Sequence, residues 1–197
     1  MKKYLPIVVT VAVLLLDQAS KFLVKLNMIL GEEIVLFSWF RIHFIENEGM
    51  AFGMSLGPTY GKLLLSLFRM VAIGLLIWYI VKVVRKGKES NLGIAALSLI
   101  LAGAMGNMLD SAFYGLIFSD SYFQTAQLMP ANGGYAPFLF GKVVDMLYFP
   151  LFKVGNFTFF DPVFNIADSA ITIGFVLFFL SQIKISREVR LSQTETV

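Results

Sequence analysis

The 197-residue sequence has no cysteine and only one histidine, His43. Without cysteine, the chain cannot form a disulfide or a thiolate metal site. A single histidine makes a histidine-based zinc site or a Ser-His-Asp triad a poor interpretation of this sequence. We interpret His43 instead as a partly exposed residue of an alternating strand pattern, described below.

Charge is also scarce. Charged residues make up 15% of the chain and hydrophobic residues 57%, whereas about 25% of an average soluble domain is charged. The mean hydropathy is +0.76. A single small core would leave much of this apolar surface facing water. The composition therefore excludes a disordered chain and an ordinary soluble enzyme, and the length fits one integral membrane domain, 1–197.

Four apolar stretches have the length of membrane-spanning helices, about 20 residues for a hydrocarbon core of about 30 Å. They lie at about 4–26, 63–84, 92–113 and 162–183. Helices are expected because lipid offers backbone groups no hydrogen-bond partners. The first stretch follows two lysines, as in a signal peptide, but no small-x-small cleavage pattern comes after it. We therefore expect an uncleaved first helix.

The basic residues predict the orientation. Nine of the sixteen lie in three short segments: Lys2, Lys3, Lys82, Arg85, Lys86, Lys88, Lys184, Arg187 and Arg190. The positive-inside rule places these segments in the cytoplasm, and an even number of spans then puts both termini there. The net charge of +3 reflects this topology and requires no nucleic-acid partner.

Two long connections, about 27–61 and 114–161, fall on the opposite, extracytoplasmic side. Apolar and polar residues alternate over 40–44 and 156–159, which predicts short strands. Residues 119–137 are polar and rich in Gly, Pro, Ser and Asn, which predicts a loop. The outer side therefore carries the non-helical part of the fold.

The acidic residues are distributed unevenly. All seven glutamates lie outside the apolar stretches, but Asp17, Asp110 and Asp168 lie within them or at their edges, at a similar outer depth. A carboxylate there is costly unless it is neutral, paired or beside a polar cavity. Asp145 lies in the outer connection before the fourth span. These four aspartates predict one outward-facing site; the alternative is a set of separate structural carboxylates, each bonded to a neighbouring helix.

Two asparagines accompany these acids. Asn107 precedes Asp110 by three residues and Asn165 precedes Asp168 by three, so each pair shares a helical face. An amide can donate a hydrogen bond to an ionised carboxylate and thereby orient it. The nearby run 102–106 consists mainly of small residues that suit close helix packing, and packing alone is the alternative explanation of its glycines.

Clustered aspartates favour one type of reaction. Two carboxylates at one site tend to share a proton: the ionised one accepts a proton from water, and the protonated one donates a hydrogen bond to a scissile carbonyl. This is the chemistry of aspartyl proteases. Proton or cation transport through the same acids is a second interpretation. Magnesium binding has little support, because no phosphate motif accompanies the acids.

Five motifs resemble those of signal peptidase II, the lipoprotein signal peptidase family of bacterial inner membranes. In order they are 17–21 (DQASK), 47–53 (NEGMAFG), 103–110 (GAMGNMLD), 143–146 (VVDM) and 164–168 (FNIAD). Each motif is weak by itself. Together they are specific, and they extend over nearly the whole chain.

The resemblance implies an all-α membrane protein of four transmembrane helices with a small extracytoplasmic β-cradle. It implies an aspartic endopeptidase, the target of globomycin, that cleaves diacylglyceryl-modified prolipoproteins just before the lipidated cysteine. No cofactor and no metal are expected, the surrounding partner is membrane lipid, and we expect a monomer. A non-enzymatic lipoprotein-binding or assembly factor remains as a third interpretation, beside the enzyme and the transporter.

The resemblance also implies roles for individual residues. Asp145 and Asp168 resemble the catalytic pair, and Asp110 is the alternative partner, which we place as support. Substrate-binding or supporting positions are implied for Asp17, Lys21, Asn47, Gly49, Gly103, Gly106, Asn107, Asp110, Asn165 and Ala167.

Two features depart from the family pattern. The family usually has arginine directly after the Asp110 equivalent, where this chain has Ser111, and Lys142 is a candidate substitute. The interval from Asp110 to Asp145 is longer than usual, with an extra segment at about 119–140. This segment folds over the site or contacts a partner, or else it is a tolerated surface insertion, which is the interpretation we favour.

Overall fold

The computed structural model describes residues 2–48, 58–87, 89–155 and 157–194. Within these ranges there are four long helices: α1 (Leu5–Asn27), α2 (Pro58–Lys86), α3 (Asn91–Leu109) and α4 (Ile166–Thr194). Each helix contributes a segment that is long and apolar enough to cross a membrane. The prediction of four membrane-spanning helices is therefore confirmed.

Helix α3 forms the centre of the bundle. In the apolar stretch that begins with α3, 61% of the residues are buried inside the protein, against 11–22% in the apolar stretches of the other three helices. Its small residues permit this close packing. A Cβ added at Gly103 would collide with the carbonyl oxygen of Ala167 in α4, and one at Gly106 would lie 2.6 Å from Asp17 Oδ2 in α1. The neighbouring helices therefore approach α3 at its glycines.

The described residues also form six strands: β1 (Glu33–Phe37), β2 (Phe40–Asn47), β3 (Val143–Tyr148), β4 (Phe152–Val154), β5 (Phe157–Phe159) and β6 (Val163–Phe164). Strands β1, β2, β3 and β6 make an antiparallel sheet in that order, and β4 pairs with β5. Asn47 pairs with Val143 and Ile45 with Asp145. Because side chains alternate between faces, Asn47 and Asp145 share one face of the sheet, and Glu46 lies on the other.

Two helices begin at residues other than the first residues of the predicted spans. The fourth span, predicted from 162, begins at Ile166, because Val163 and Phe164 pair with β3 as strand β6. The second span, predicted from 63, begins at Pro58, since its first turn is too polar for hydropathy to detect. The strand predicted at 40–44 is confirmed as part of β2, and the second predicted strand contains β5.

The extra segment at about 119–140 has no regular helix or strand, as predicted, but it is packed against the fold. Ser121 is fully buried, and its Oγ contacts Lys25 Nζ (3.0 Å) and Glu46 Oε1 (3.2 Å). Since Glu46 and Asp145 point to opposite faces of the sheet, Ser121 packs on the face away from Asp145. The segment is therefore anchored to the fold through Ser121.

Candidate active site

Strand β3 brings Asp145 against the helices. The residue is only 3% exposed. Its Oδ1 accepts a hydrogen bond from Asn165 Nδ2 (2.7 Å), and its Oδ2 accepts one from Asn47 Nδ2 (3.2 Å). Burial and, second, the negative charge of Asp168 raise the pKa of Asp145 to about 7. This carboxyl group can therefore exchange a proton near neutral pH.

The start of α4 positions Asp168. Asn165 Oδ1 accepts a hydrogen bond from Asp168 N (2.8 Å), and Asp168 Oδ2 accepts one from Asn165 N (3.3 Å). This reciprocal arrangement caps the helix and satisfies two of its free N–H groups. Because the same Asn165 side chain also donates to Asp145, the cap that starts α4 links the two acids.

Asn107 of α3 connects the acids to a buried cation. Its Nδ2 donates to Asp168 Oδ1 (2.8 Å), and its Oδ1 accepts from Lys21 Nζ (2.9 Å) and Asn165 Nδ2 (3.0 Å). Only one orientation of the amide allows these three bonds, since the oxygen accepts and the nitrogen donates. Asn107 thereby fixes where Asp168 points.

Lys21 of α1 is fully buried and carries the positive charge at this site. Its Nζ lies 2.9 Å from Asp17 Oδ2 and 2.8 Å from Asp110 Oδ2. With Asn107 as the third acceptor, all three N–H groups of the ammonium are satisfied, as a buried charge requires. Asp17 Oδ1 also accepts a hydrogen bond from Ala167 N (2.9 Å), which joins α1 to α4.

Asp110, the alternative catalytic partner, has a different environment. It is fully buried at the start of a π-helical turn, Asp110–Tyr114, that follows α3. Besides the bond from Lys21, its carboxylate accepts hydrogen bonds from Gln18 Nε2 (2.9 Å) and Val144 N (3.2 Å). A carboxylate with this many donors is fixed in place by its neighbours, and no oxygen of it is left for a reacting group. These contacts favour the supporting role predicted for Asp110.

All predicted site residues that the structure describes lie in this network or in the helix contacts beside it, and Gly49 lies outside the described residues. Gln18 was not predicted. Its Oε1 accepts a hydrogen bond from Tyr114 OH (3.1 Å), while its Nε2 donates to Asp110. The available signal was an amide next to an acid in an otherwise apolar stretch.

Arg69 of α2 was also not predicted. Its Nη1 donates a hydrogen bond to Ser111 Oγ (3.2 Å), so a guanidinium does reach the position after Asp110, but from another helix. The candidate substitute, Lys142, lies elsewhere: its Nζ is 3.6 Å from Glu46 Oε2, on the far face of the sheet. A charged residue inside the second apolar stretch was the signal for Arg69.

The four spans, the small sheet and the carboxylate network define a multi-pass membrane protein with the fold of known bacterial membrane enzymes. One solved bacterial membrane enzyme matches 92% of this chain and 88% of its own, with a TM-score of 0.62 at 23% identity. A second matches 91% and 92%, with a TM-score of 0.61 at 24% identity. The similarity to these structures shows the fold.

Sequence similarity is more specific. The pattern of the signal peptidase (SPase) II family matches residues 9–184, and the chain belongs to this family. The lipoprotein signal peptidase of Porphyromonas gingivalis is 49% identical over 178 residues, which are 85% of this chain and 77% of that protein. Those of Amoebophilus asiaticus and Klebsiella pneumoniae are 35% and 34% identical, over 85% and 87% of this chain and 72% and 84% of their own.

Proposed function

We propose that this chain removes the signal peptide from diacylglyceryl-modified prolipoproteins by aspartyl catalysis, and that it cleaves just before the lipidated cysteine. The observation that carries the proposal is the Asn165 bridge, which holds Asp145 and Asp168 at one site between β3 and α4. Membership of the signal peptidase II family supports the substrate class.

The two acids have different surroundings, which suits different roles. Asp145 is almost completely buried and has a pKa raised to about 7, whereas Asp168 is half-buried. We assign Asp145 as the protonated member, which donates a hydrogen bond to the scissile carbonyl oxygen. We assign Asp168 as the ionised member, which accepts a proton from the attacking water.

Every proton that the reaction moves is accepted and returned by the two acids of the dyad. The water oxygen bonds to the carbonyl carbon as its proton passes to Asp168, and the proton of Asp145 neutralises the carbonyl oxygen, which gives a tetrahedral diol. When the carbon–nitrogen bond breaks, Asp168 returns its proton to the leaving amine. A diol hydroxyl returns a proton to Asp145, so the dyad ends as it began.

The network around the dyad supports this assignment. Lys21 forms ion pairs with both Asp17 and Asp110, so its charge offsets part of their negative charge beside the dyad. Asn107 and Asn47 each donate to one dyad member. Asn47, Asn107 and the close contact at Gly103 therefore belong to the substrate-binding and supporting set of this proposal.

The helix ends support the proposed orientation, with the site on the extracytoplasmic side of the inner membrane. Lys2 Nζ donates to Glu89 O (3.1 Å), and Gln182 Nε2 donates to Glu89 Oε2 (3.3 Å). The amino terminus, the α2–α3 connection and the late part of α4 therefore meet on one side. This side carries the excess of basic residues, which the positive-inside rule places in the cytoplasm.

The decisive experiment is cleavage of purified diacylglyceryl-modified prolipoprotein by the purified protein in detergent. Asp145→Asn and Asp168→Asn should each lower the rate by about a thousandfold or more, because each removes a proton donor or acceptor of the dyad. Asp161→Asn is the matched control: among the residues described, this exposed aspartate accepts its one hydrogen bond from Tyr148 OH (2.9 Å), and the variant should leave the rate unchanged.

Three results would overturn the proposal. Full turnover by either dyad variant would remove that residue from the reaction. Binding of the precursor without release of a signal peptide by the unaltered chain would indicate a binding factor. Acid-dependent ion flux in vesicles without proteolysis would indicate a transporter.

A further inference from the structure

A cavity outside the proposed dyad lies between strand β2, the extra segment at 119–140 and the start of α2. It holds about 400 Å³, which is within the range of small-molecule sites, about 300–1,000 Å³. Glu46 lines it from the face of the sheet opposite to Asp145. The charged residues of its wall are Glu46, Glu48, Lys62, Asp120 and Lys142.

Lys62 of α2 is the buried cation of this wall. It is only 5% exposed and lies four residues after Pro58, about 6 Å along the helix. Ser66, one turn later on the same face, donates a hydrogen bond to Leu139 O (3.3 Å), so this face of α2 packs against the extra segment. Lys62 forms no hydrogen bond or ion pair with another residue that the structure describes. Because a buried ammonium group needs acceptors, Lys62 is suited to bind an anion in the cavity.

Lys142 is the second cation of the wall, and it is also incompletely paired. Its Nζ donates to Tyr122 OH (3.4 Å) and lies 5.2 Å from the centre of the Tyr122 ring. Among the described residues, the carboxylate oxygen within 4.0 Å of this Nζ is Glu46 Oε2, at 3.6 Å, and Glu46 is already bonded to Lys25 and Ser121. Two ammonium groups that line one cavity repel each other unless an anion lies between them.

The cavity wall also carries negative charge that these pairs do not use. Glu46 is paired with Lys25, and the remaining acids are the exposed Glu48 and Asp120, whose Oδ1 accepts a hydrogen bond from Tyr122 N (3.2 Å). Once the Glu46–Lys25 pair is set aside, the wall has two cations and two anions. A purely anionic ligand would meet both acids, whereas a ligand with one phosphate and one ammonium group would satisfy both signs of charge.

The surroundings of the cavity favour a lipid as the source of these groups. Tyr60, at the start of α2, is 77% exposed, as is typical of an aromatic residue at a membrane–water boundary. Phe138 follows Pro137 of the cavity wall, and its ring centre lies 5.7 Å from that of Phe113 in the third span. Both phenylalanines are about half exposed, 50% and 44%. A polar cavity beside an apolar, membrane-level surface suits a ligand with a charged head and apolar tails.

We propose that this cavity binds the headgroup of a zwitterionic phospholipid that carries a primary amine, as in phosphatidylethanolamine. The phosphate binds between Lys62 and Lys142, and the acyl chains lie against the two half-exposed phenylalanines. The ammonium group binds beside Glu48 and Asp120. A primary ammonium donates three hydrogen bonds to such acceptors, whereas the quaternary ammonium of choline donates none. The site is separate from the proposed dyad, so it stands or falls independently of the proposed function.

The test is lipid binding by the purified full chain in detergent after removal of its lipids. Phosphatidylethanolamine, phosphatidylcholine and phosphatidylglycerol are added singly, and native mass spectrometry and thermal unfolding follow their binding. Phosphatidylethanolamine should raise the unfolding temperature most, because a ligand of the folded state stabilises it. Lys62→Gln and Lys142→Gln should each weaken its binding about tenfold, since each removes a charged hydrogen bond to the phosphate. Lys82→Gln is the matched control: it removes the same charge beside the Trp78 ring (4.6 Å) at the far end of α2 and should bind as the unaltered chain does.

The acids are tested by selectivity. Glu48→Gln/Asp120→Asn should abolish the preference for phosphatidylethanolamine over phosphatidylcholine and leave phosphatidylcholine binding unchanged, because the two lipids differ only at the amine. Lys142→Gln decides the role of the cations if Lys62→Gln does not fold.

Four results would overturn the inference. The first is undiminished binding of phosphatidylethanolamine by both lysine variants. The second is tighter binding of phosphatidylglycerol than of phosphatidylethanolamine. The third is equal stabilisation by free phosphoethanolamine at the same concentration, which would indicate a soluble ligand. The fourth is stabilisation by a peptide from the precursor and by none of the lipids, which would indicate a peptide site.

Discussion

Asn165 shows how one residue joins fold and chemistry. Its side-chain oxygen caps α4, while its side-chain nitrogen donates to Asp145. Asparagine is among the preferred residues at a helix start because its oxygen satisfies a free N–H group. The amide nitrogen then remains available, and in this protein it binds the neighbouring acid. Replacing Asn165 would therefore disturb both the helix start and the proposed dyad.

At the residue scale, we expect cleavage to decline as the pH rises through about 7, the value to which burial and the charge of Asp168 raise the pKa of Asp145. Above this pH the proposed proton donor loses its proton. The measurement is kcat/KM of the purified protein from about pH 5 to about pH 9. A rate constant that stays level to the upper limit would contradict the role of Asp145 as the acid.

The same titration affects stability. The pKa of Asp145 is higher in the folded state than its unfolded value of about 3.9, so between about pH 4 and about pH 7 the folded chain binds more protons than the unfolded chain. This contribution to stability is present at low pH and is lost as the pH rises through the folded pKa. Asp145→Asn should flatten this part of the unfolding temperature–pH curve, and an unchanged curve would argue against a titrating Asp145.

At the scale of elements, α3 organises the molecule because it has so little side-chain bulk. Its contacts with α1 and α4 occur at glycines, where backbone and carboxylate groups of the neighbours come close. The same helix supplies Asn107 and, at its end, Asp110. Close approach at the glycines is therefore what brings the polar groups of three helices within hydrogen-bond distance of each other.

Gly106→Ala should destabilise the protein by about 1–3 kcal/mol, because the added Cβ overpacks a close contact. That Cβ would lie 2.6 Å from Asp17 Oδ2. The matched control is Gly74→Ala in α2, where an added Cβ meets nothing within 4 Å and alanine is the better helix former. Thermal unfolding in detergent measures both. Equal unfolding temperatures for the two variants would refute a packing role for Gly106.

The structure changes the interpretation of the extra segment at 119–140, because Ser121 anchors this segment to the fold. Ser121→Ala should lower stability by about 1 kcal/mol, since Lys25 and Glu46 lose a buried hydrogen-bond partner. Phe123→Ala is the control in the same segment, because Phe123 is 97% exposed. Unfolding temperatures compare the two, and KM for the precursor should stay the same in both. A changed KM with unchanged stability would mean that the segment contacts substrate.

At the scale of the whole molecule, the distribution of basic residues sets the orientation of the protein in the membrane. The basic residues gather on the side where the amino terminus meets the α2–α3 connection, and the proposed dyad lies toward the opposite ends of the spans. A peptide substrate anchored by lipid would reach the dyad from within the bilayer. The orientation therefore decides on which side of the membrane the cleaved product is released.

Because the chain has no cysteine, single introduced cysteines can test this orientation without background. Ser38→Cys in the β1–β2 turn and Ser186→Cys in α4 are both at exposed positions. In intact cells from which the outer membrane has been removed, a membrane-impermeant thiol reagent should label the first and spare the second. Labelling of Ser186→Cys alone would reverse the proposed topology.

The sequence by itself determined the helices, the family and most of the candidate site. Long apolar stretches, the acids at one depth and the motif residues around Asp110 and Asp168 could be recognised because lipid leaves few alternatives for an apolar run or a polar residue within it. The start of α4 could not be predicted, because two residues of the apolar stretch join the sheet as β6, and hydropathy does not distinguish a buried strand from a helix.

Only the tertiary structure decided which polar side chains of the site are hydrogen-bonded to each other. Sequence spacing puts Asn165 and Asp168 on one helical turn, but it does not show that the Asn165 amide also reaches Asp145 in β3. It does not show that Arg69 approaches Ser111 from α2. These contacts join elements far apart in the chain, and their geometry depends on how closely the helices pack at the glycines of α3. That packing is a property of the assembled bundle and not of any one segment.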